Sequence, residues 1–163
     1  MITNNLFNSK TTLVAITEYH TQGKKSPDMI LFKFYDLKKK FLGDIAVEQY
    51  YAGHYETHSY IKRPYRGKGL GLFMYSTVAD WCLSHGIKLY SASIHDQSRF
   101  AKRLWASNTL RKKYQVKMAT NARWRILPLE GTKPSATGAK LKKPSSLPHL
   151  FQHVVCVEKN PEY

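Results

Sequence analysis

A run of small and basic residues, Arg66-Gly67-Lys68-Gly69-Leu70-Gly71, has the composition and spacing to bind a phosphate group. Extended sequence precedes the run and an amphipathic segment follows it, which predicts that the run opens a helix. The first amides of a helix lack intrahelical partners and carry partial positive charge, and glycines let an anion approach them closely. Arg66 and Lys68 add charge nearby. We therefore predict a backbone pocket for a pyrophosphate.

The glycine spacing separates this run from two common nucleotide-binding loops. It lacks the Gly-Lys-Ser/Thr end of a P-loop and does not follow the Gly-x-Gly-x-x-Gly dinucleotide pattern. The run instead resembles the acetyl-CoA loop of the GCN5-related N-acetyltransferases (the GNAT family), with the signature Arg or Gln, two residues, Gly, one residue, and Gly or Ala. Arg66, Gly69 and Gly71 occupy the three defined positions.

A second segment carries the same resemblance. The family pattern is Asn-x-x-Ala-x-x-Leu-Tyr, and this chain has Ala101 and Leu104 in register, with Ser98 in place of the asparagine. The resemblance implies that acetyl-CoA is the cofactor and that Ser98 contacts its arm. It also implies that the backbone of Ile61 and Arg63, at the edge of the preceding strand, pairs with the pantetheine.

Trp105 is a departure from this pattern, because the family has a tyrosine acid at this position. An indole cannot supply a proton to a thiolate at neutral pH. Solvent, Tyr114 or another tyrosine would then protonate the leaving group, or the acyl chemistry is altered. Trp105 itself fits either a core position or a platform that stacks on a substrate base.

The elements that must position these residues alternate as in an α/β protein. Periodicity and turn residues predict strands at 11–21, 29–35, 41–47, 55–62 and 87–94, helices at 70–86 and 98–108, and a closing hairpin at 114–118 and 123–127. With the resemblance, this order predicts a mixed, mostly antiparallel central sheet of six to seven strands flanked by helices, the GNAT-like acyl-CoA N-acyltransferase fold. The family's usual helices between the first two strands are not evident.

The strand before the glycine run offers candidate catalytic groups. Alternation predicts that four side chains share one face: His54, Glu56, His58 and Tyr60. Acetyl transfer needs a neutral amine, and the resemblance places a catalytic glutamate here, so we predict Glu56 as the base, directly or through water. His58 is the second choice, because the unperturbed pKa of histidine suits neutral pH. An ordinary polar face is the alternative, and a metal site is disfavoured because no fourth ligand is evident.

Charge is the second informative property of the chain. It has 26 Lys and Arg against 11 Asp and Glu, a formal charge of +15. No acid occurs between Gln97 and Leu129, where nine basic residues lie: Arg99, Lys102, Arg103, Arg111, Lys112, Lys113, Lys117, Arg123 and Arg125. Such a field attracts polyanions, so we expect DNA, RNA or a nucleoprotein as a partner, with a merely solvated basic face as the alternative.

Length and composition fit a single domain. We predict a GNAT-like domain at 1–130, a basic flexible loop or arm at 131–148, and a C-terminal strand or tail of the same domain at 149–163. No apolar stretch approaches the roughly 20 residues of a membrane span. The amino terminus lacks a secretory pattern and only two cysteines are present, Cys82 and Cys156, so we expect a cytoplasmic protein.

Together these features favour an acetyl-CoA-dependent N-acetyltransferase that acts on an amine of a nucleic acid or of a nucleic-acid-associated protein. Three alternatives stay open. They are a phage-type enzyme of the same fold that modifies DNA bases, a small-amine acetyltransferase, and a non-catalytic nucleic-acid-binding protein that kept the fold.

Overall fold

The computed structural model describes residues 7–119, 121–129 and 153–159. Within these ranges the α-helices are α1 (Leu70–Ser84), α2 (Arg99–Trp105) and α3 (Asn108–Lys113). A 3₁₀ turn at Arg63–Tyr65 leads into the glycine run. The strands are β1 (Thr12–His20), β2 (Met29–Asp36), β3 (Phe41–Tyr51), β4 (His54–Ile61), β5 (Lys88–Tyr90), β6 (Tyr114–Met118), β7 (Trp124–Pro128) and β8 (His153–Lys159).

All the described strands belong to one mixed sheet in the order β6-β7-β5-β4-β3-β2-β1-β8. Two pairs are parallel, β4 with β5 and β1 with β8, and the other pairs are antiparallel. The predicted fold class is therefore confirmed. The sheet has eight strands, one more than the upper end of the prediction, because β8 adds a strand beside β1.

The main core lies between one face of the sheet and α1. Alternation along β2 buries Ile30, Phe32 and Phe34 on this face, and α1 covers them; the rings of Phe32 and Trp81 meet edge to face at 5.4 Å. Between β1 and β2 the chain makes a short turn and no helix, as the sequence predicts. On the opposite face of β4, His58 and Tyr60 are exposed, whereas the side chain of Glu56 is only 16% exposed.

Strands β4 and β5 separate part-way along their length. They pair only from His54 to Glu56 on β4 and from Lys88 to Tyr90 on β5. After Tyr90 the chain leaves β4 and continues beside β7, where the amide of Ser91 donates to the carbonyl of Trp124 at 2.8 Å. The predicted strand at 87–94 is therefore too long, and β4 continues to its end with an edge that β5 does not cover.

The predicted helix at 98–108 is also wrong in its extent, because it is two short helices. The hydroxyl of Ser98 accepts from the amide of Ala101 at 3.1 Å and begins α2. The hydroxyl of Ser107 accepts from the amide of Leu110 at 3.2 Å and begins α3. Helix α2 ends at Trp105 with Ala106 as its C-cap, and Ser107 then begins α3 as an N-cap residue.

No helix in the described part of the chain is long and apolar enough to cross a membrane. The predicted basic arm at 131–148 lies outside the described residues, as do 149–152 and 160–163. The proposed division into segments at 130 and 148 therefore stays a prediction.

Candidate functional site

A cavity of about 670 Å³ lies where the uncovered end of β4 meets the start of α1 and the helix α2. This volume falls in the range of pockets that bind small molecules and cofactors. Three regions that the sequence singled out separately contribute to it: the end of β4, the glycine run and the segment around α2. The lining residues are Ser59, Tyr60, Ile61, Tyr65, Arg66, Gly67, Gly69, Gly71, Leu72, Ser98, Phe100, Arg103, Leu104 and Ser107.

The glycine run forms the predicted start of α1 and leaves it open. Gly69 is the N-cap residue in a left-handed conformation with φ of 86°, and no side chain caps the helix. Gly67 is also left-handed, and a Cβ added to it would meet no atom within 4 Å. The unpaired amides of the first turn therefore stand at the cavity without obstruction from the loop, which is the geometry that binds a phosphate.

Gly71 has a packing role that the sequence did not indicate. A Cβ at this position would lie 2.3 Å from Cζ of Phe100 and 3.3 Å from Cδ1 of Leu104. Helix α2 thus packs directly against the first turn of α1 at this glycine. The ring of Phe100, which is 36% exposed, forms one wall of the cavity.

Arg66 links the loop to the strand. Its Nε donates to the carbonyl of Ile61 at 2.8 Å, and its guanidinium lies 5.9 Å from the centre of the Tyr60 ring. Both Ile61 and Arg66 line the cavity, as does Ser98, in agreement with the sequence-based grouping of these residues. Their roles toward a cofactor stay predictions.

Three other predicted cofactor contacts are placed differently. Arg63 lies in the 3₁₀ turn beyond the end of β4, so its backbone is not part of the strand edge. Lys68 is exposed but does not line the cavity, and the side chain of Leu70 is buried in the core, so only the backbone amide of Leu70, in the first turn of α1, is left to contact a ligand. The loop turns between Ile61 and Gly69, and this turn directs neighbouring side chains to different sides.

Glu56 lies on the opposite face of β4, at the last residue pair before β4 and β5 separate. Its Oε1 accepts from Nε2 of His58 at 3.0 Å, and its Oε2 accepts from Nε and Nη2 of Arg123 at 3.0 and 2.7 Å. The side chain is 16% exposed. Because both oxygens have internal partners, Glu56 would act on an amine through water or after one contact opens.

Aromatic and basic side chains surround Glu56, and of these the sequence pattern placed only His54 on the face that carries Glu56. The guanidinium of Arg123 lies 4.3 Å from the centre of the Tyr50 ring, and that of Arg125 lies 5.5 Å from Tyr90. Nδ1 of His54 is 2.9 Å from the hydroxyl of Tyr90. We call Tyr50, His54, Tyr90, Arg123 and Arg125 the aromatic-basic cluster.

Trp105, which replaces the family's acid, and Tyr114, which the sequence offers as a substitute acid, are both buried in other contacts. Trp105 is 1% exposed and packs edge to face with Tyr75, with ring centres 5.8 Å apart, so it is a core residue and not a stacking platform. The hydroxyl of Tyr114 donates to the carbonyl of Ser76 at 3.0 Å and to the carboxylate of Asp80. Burial and Asp80 raise the pKa of Tyr114 well above its usual value, which makes it a poor acid.

No group of three or more His, Cys, Asp or Glu side chains within the described ranges is arranged to hold a metal ion. The cluster on β4 instead pairs a carboxylate with a guanidinium. Within this cluster, the guanidinium of Arg123 therefore balances the negative charge of Glu56.

His54 gives a pH-dependent prediction for this face. Burial, followed by the positive charges of Lys88 and Arg125, lowers its pKa below the ordinary value of 6.5. We expect an NMR titration of the imidazole to show a midpoint below 6.5, and Lys88→Gln to raise it by removing one positive charge. Because the folded state then binds fewer protons than the unfolded state, His54 lowers stability as pH falls below about 6.5. A midpoint at or above 6.5 would mean that burial and the charges of Lys88 and Arg125 do not lower the pKa of His54.

The chain matches the model of the family described as "Acetyltransferase (GNAT) family" over residues 7–108. No curated protein matches it. Among solved structures it is similar to a GNAT-family acetyltransferase from Staphylococcus aureus (12% identity, TM-score 0.44, covering 63% of this chain and 69% of the other). It is also similar to the spermidine/spermine N-acetyltransferase SpeG from Vibrio cholerae (15%, 0.43, 61% of each chain). Because these identities and TM-scores are low, the family assignment rests on the match over residues 7–108 and not on the solved structures.

Proposed function

The chain belongs to the GNAT family of acetyltransferases and is an N-acetyltransferase that uses acetyl-CoA, and from this premise we propose that its acceptor amine belongs to a nucleic acid or to a nucleic-acid-associated protein. The aromatic-basic cluster beside Glu56 is the observation that supports this acceptor. We propose that the protein works in the cytoplasm, where we expect both acetyl-CoA and such acceptors.

The cluster has the chemistry of a surface that binds single-stranded nucleic acid. Register pairing places Glu56, Tyr90, Arg125 and Lys117 on neighbouring strands of the same sheet face. Cations on such a surface bind phosphates, and exposed aromatic rings stack on bases, although Tyr90 itself is buried at 4% exposure. Tyr51, at the end of β3, is 67% exposed and extends the aromatic part of this surface. An acceptor bound here would lie next to the proposed base.

A second basic surface adjoins the cavity. All of its members are exposed, and within the described ranges none has a carboxylate within 4 Å: Arg99, Lys102, Arg103, Arg111, Lys112 and Lys113. Arg103 lines the cavity, so part of this charge can neutralise the phosphates of acetyl-CoA. The remainder supports capture of a polyanion by long-range attraction.

The two sides of the sheet suggest how transfer would proceed. The uncovered edge of β4 offers backbone groups to the extended, amide-bearing arm of acetyl-CoA while the α1 amides hold its phosphates. The thioester would then lie near the point where β4 and β5 separate. Glu56, at that point and on the acceptor side, would take the proton from the attacking amine, directly or through water.

A small cationic amine is the main alternative acceptor. The SpeG structure is named for spermidine and spermine, but a polyamine would approach a chain of formal charge +15 against electrostatic repulsion. A DNA-base-modifying enzyme of this fold and a non-catalytic binder that kept the fold are outcomes that the same experiment distinguishes.

We would measure transfer of radiolabelled acetyl groups to four acceptors: single-stranded DNA, RNA, a lysine-rich nucleic-acid-binding protein with and without nucleic acid, and spermidine. The proposal predicts transfer to one of the first three, with KM rising steeply with salt. Transfer to spermidine alone would overturn it. Acetyl-CoA binding without transfer to any acceptor would favour the non-catalytic binder.

Paired charge variants test the role of the sheet face. Lys117→Gln with Arg125→Gln should raise KM for the polyanionic acceptor about tenfold and reduce its salt dependence. Lys38→Gln with Lys40→Gln, in the exposed turn after β2, removes the same charge elsewhere and should change KM by less than about twofold. Equal effects of the two pairs would mean that the net charge of the protein, and not this sheet face, determines KM for the acceptor.

A further inference from the structure

Departure of the acetyl group leaves negative charge on the sulfur of CoA. Neither Trp105, at the position of the family's acid, nor the candidate acid Tyr114 lines the cavity. Trp105 and Tyr114 are buried in the core, at 1% and 5% exposure. A hydrogen-bond donor at the sulfur would stabilise this charge most strongly in a site sheltered from water. Among the hydroxyls that line the cavity, one on β4 accepts a hydrogen bond from a buried side chain.

That hydroxyl belongs to Ser59. It lines the cavity on the α1 side of β4, three residues beyond Glu56 and therefore just past the point where β4 and β5 separate. The hydroxyl of Tyr75, on α1, donates to Oγ of Ser59 at 3.1 Å. Tyr75 is only 2% exposed and is fixed from the other side by the ring of Trp105.

The direction of this hydrogen bond determines what Ser59 can do. A serine hydroxyl has a single proton and two acceptor lone pairs. The structure has the phenol of Tyr75 as the donor and Oγ of Ser59 as the acceptor, and burial raises the pKa of Tyr75, so the phenol keeps the proton that it donates. The proton of Ser59 is then free to point away from Tyr75, toward the cavity.

We propose that the hydroxyl of Ser59 donates a hydrogen bond to the sulfur of CoA as the carbon–sulfur bond breaks, and that Tyr75 is the positioning residue that sets its orientation. This inference depends on acetyl-CoA as the donor and not on the proposed acceptor. It also gives Trp105 a function that its burial explains, which is to hold the ring of Tyr75.

The reaction then balances without a proton lost from Ser59 or Tyr75. The amine nitrogen bonds to the thioester carbon, and the carbonyl electron pair moves to oxygen and returns as the carbon–sulfur bond breaks. The bonding pair stays on sulfur, stabilised by the hydroxyl of Ser59. The proton of the amine leaves through Glu56 or water, and CoA departs as a thiolate that solvent protonates.

The test measures bound CoA without any acceptor, so it does not depend on the proposed acceptor being correct. CoA labelled with ¹³C at the carbon next to sulfur is titrated by NMR in complex with the protein. A donor at the sulfur favours the thiolate, so we expect Ser59→Ala to raise the midpoint by about one pH unit. Arg66 and Arg103 also line the cavity, and their charge is common to all variants.

Three further variants separate this role from a structural one. Tyr75→Phe should raise the midpoint in the same direction by a smaller amount, and the double variant should match Ser59→Ala. Ser59→Thr keeps a hydroxyl and should return the midpoint toward the original value.

Release of CoA from acetyl-CoA by water should fall about tenfold in Ser59→Ala. An unchanged midpoint in a folded Ser59→Ala protein, checked by thermal unfolding, would overturn the proposal, as would a Tyr75→Phe effect that persists without Ser59.

Discussion

Gly69→Asp should weaken acetyl-CoA binding about 100-fold, which corresponds to roughly 2.7 kcal/mol. Gly69 is the N-cap of α1 with φ of 86°, and it lines the cavity beside the unpaired amides of the first turn. Aspartate tolerates this left-handed conformation better than most residues, so the fold should survive. Its carboxylate would occupy the amides and repel the diphosphate. Calorimetry with acetyl-CoA measures the loss.

Two asparagine variants make this prediction specific. Gly69→Asn has the same shape without the charge and should weaken binding by about tenfold, because it also occupies the amides. Gly86→Asn places the same residue in a left-handed position at the other end of α1, where φ is 69°, and should leave acetyl-CoA binding unchanged. Equal losses of affinity for Gly69→Asp and Gly69→Asn would show that the size of the side chain, and not its charge, weakens binding. That result would contradict a phosphate pocket at this glycine.

Glu56→Gln should lower kcat about 100-fold while the affinity for acetyl-CoA stays unchanged. The carboxylate lies at the separation of β4 and β5, on the face opposite α1, and glutamine keeps its size and a hydrogen-bonding oxygen while it loses its basicity. Release of CoA in the presence of the acceptor gives kcat, and calorimetry gives the affinity. Thermal unfolding checks that loss of the ion pair with Arg123 has not unfolded the protein.

Glu48→Gln is the matched control. Glu48 pairs with Glu56 across β3 and β4, is about half exposed, and has a carboxylate oxygen 3.9 Å from Nε2 of His58. It therefore shares the histidine and the sheet face but not the position at the strand separation. We expect its kcat to change by less than about twofold. If Glu56→Gln keeps full turnover, Glu56 is not the base, and the water or the histidine beside it takes that role.

Several features followed from the sequence because they depend on local physics. Glycines that permit φ near +80° before an amphipathic segment specify an open helix start, and a two-residue period specifies which side chains share a face with Glu56. The order of elements gave the fold class. The limits of the elements were less certain, since Ser107 can extend a helix or end one, and its own hydrogen bond decides between the two.

Other features depend on contacts between distant parts of the chain. Arg123 reaches Glu56 across 67 positions of sequence, and Phe100 packs on Gly71. The hydroxyls of Tyr75, on α1, and Ser59, on β4, meet only once the helix is packed on the sheet. None of these pairs has a local pattern, because a basic residue or an aromatic residue has many possible partners until the strands and helices are packed.

The sequence by itself determined the kind of protein, through the family resemblance of two motifs. It also determined the open start of α1 and the face that carries Glu56, because backbone conformation and side-chain alternation are set by neighbouring residues. Only the tertiary structure decided where β4 and β5 part, which aromatic and basic groups surround Glu56, and which hydroxyl faces the cavity. These depend on sheet pairing and side-chain packing, whose free energies come from residues far apart in the chain.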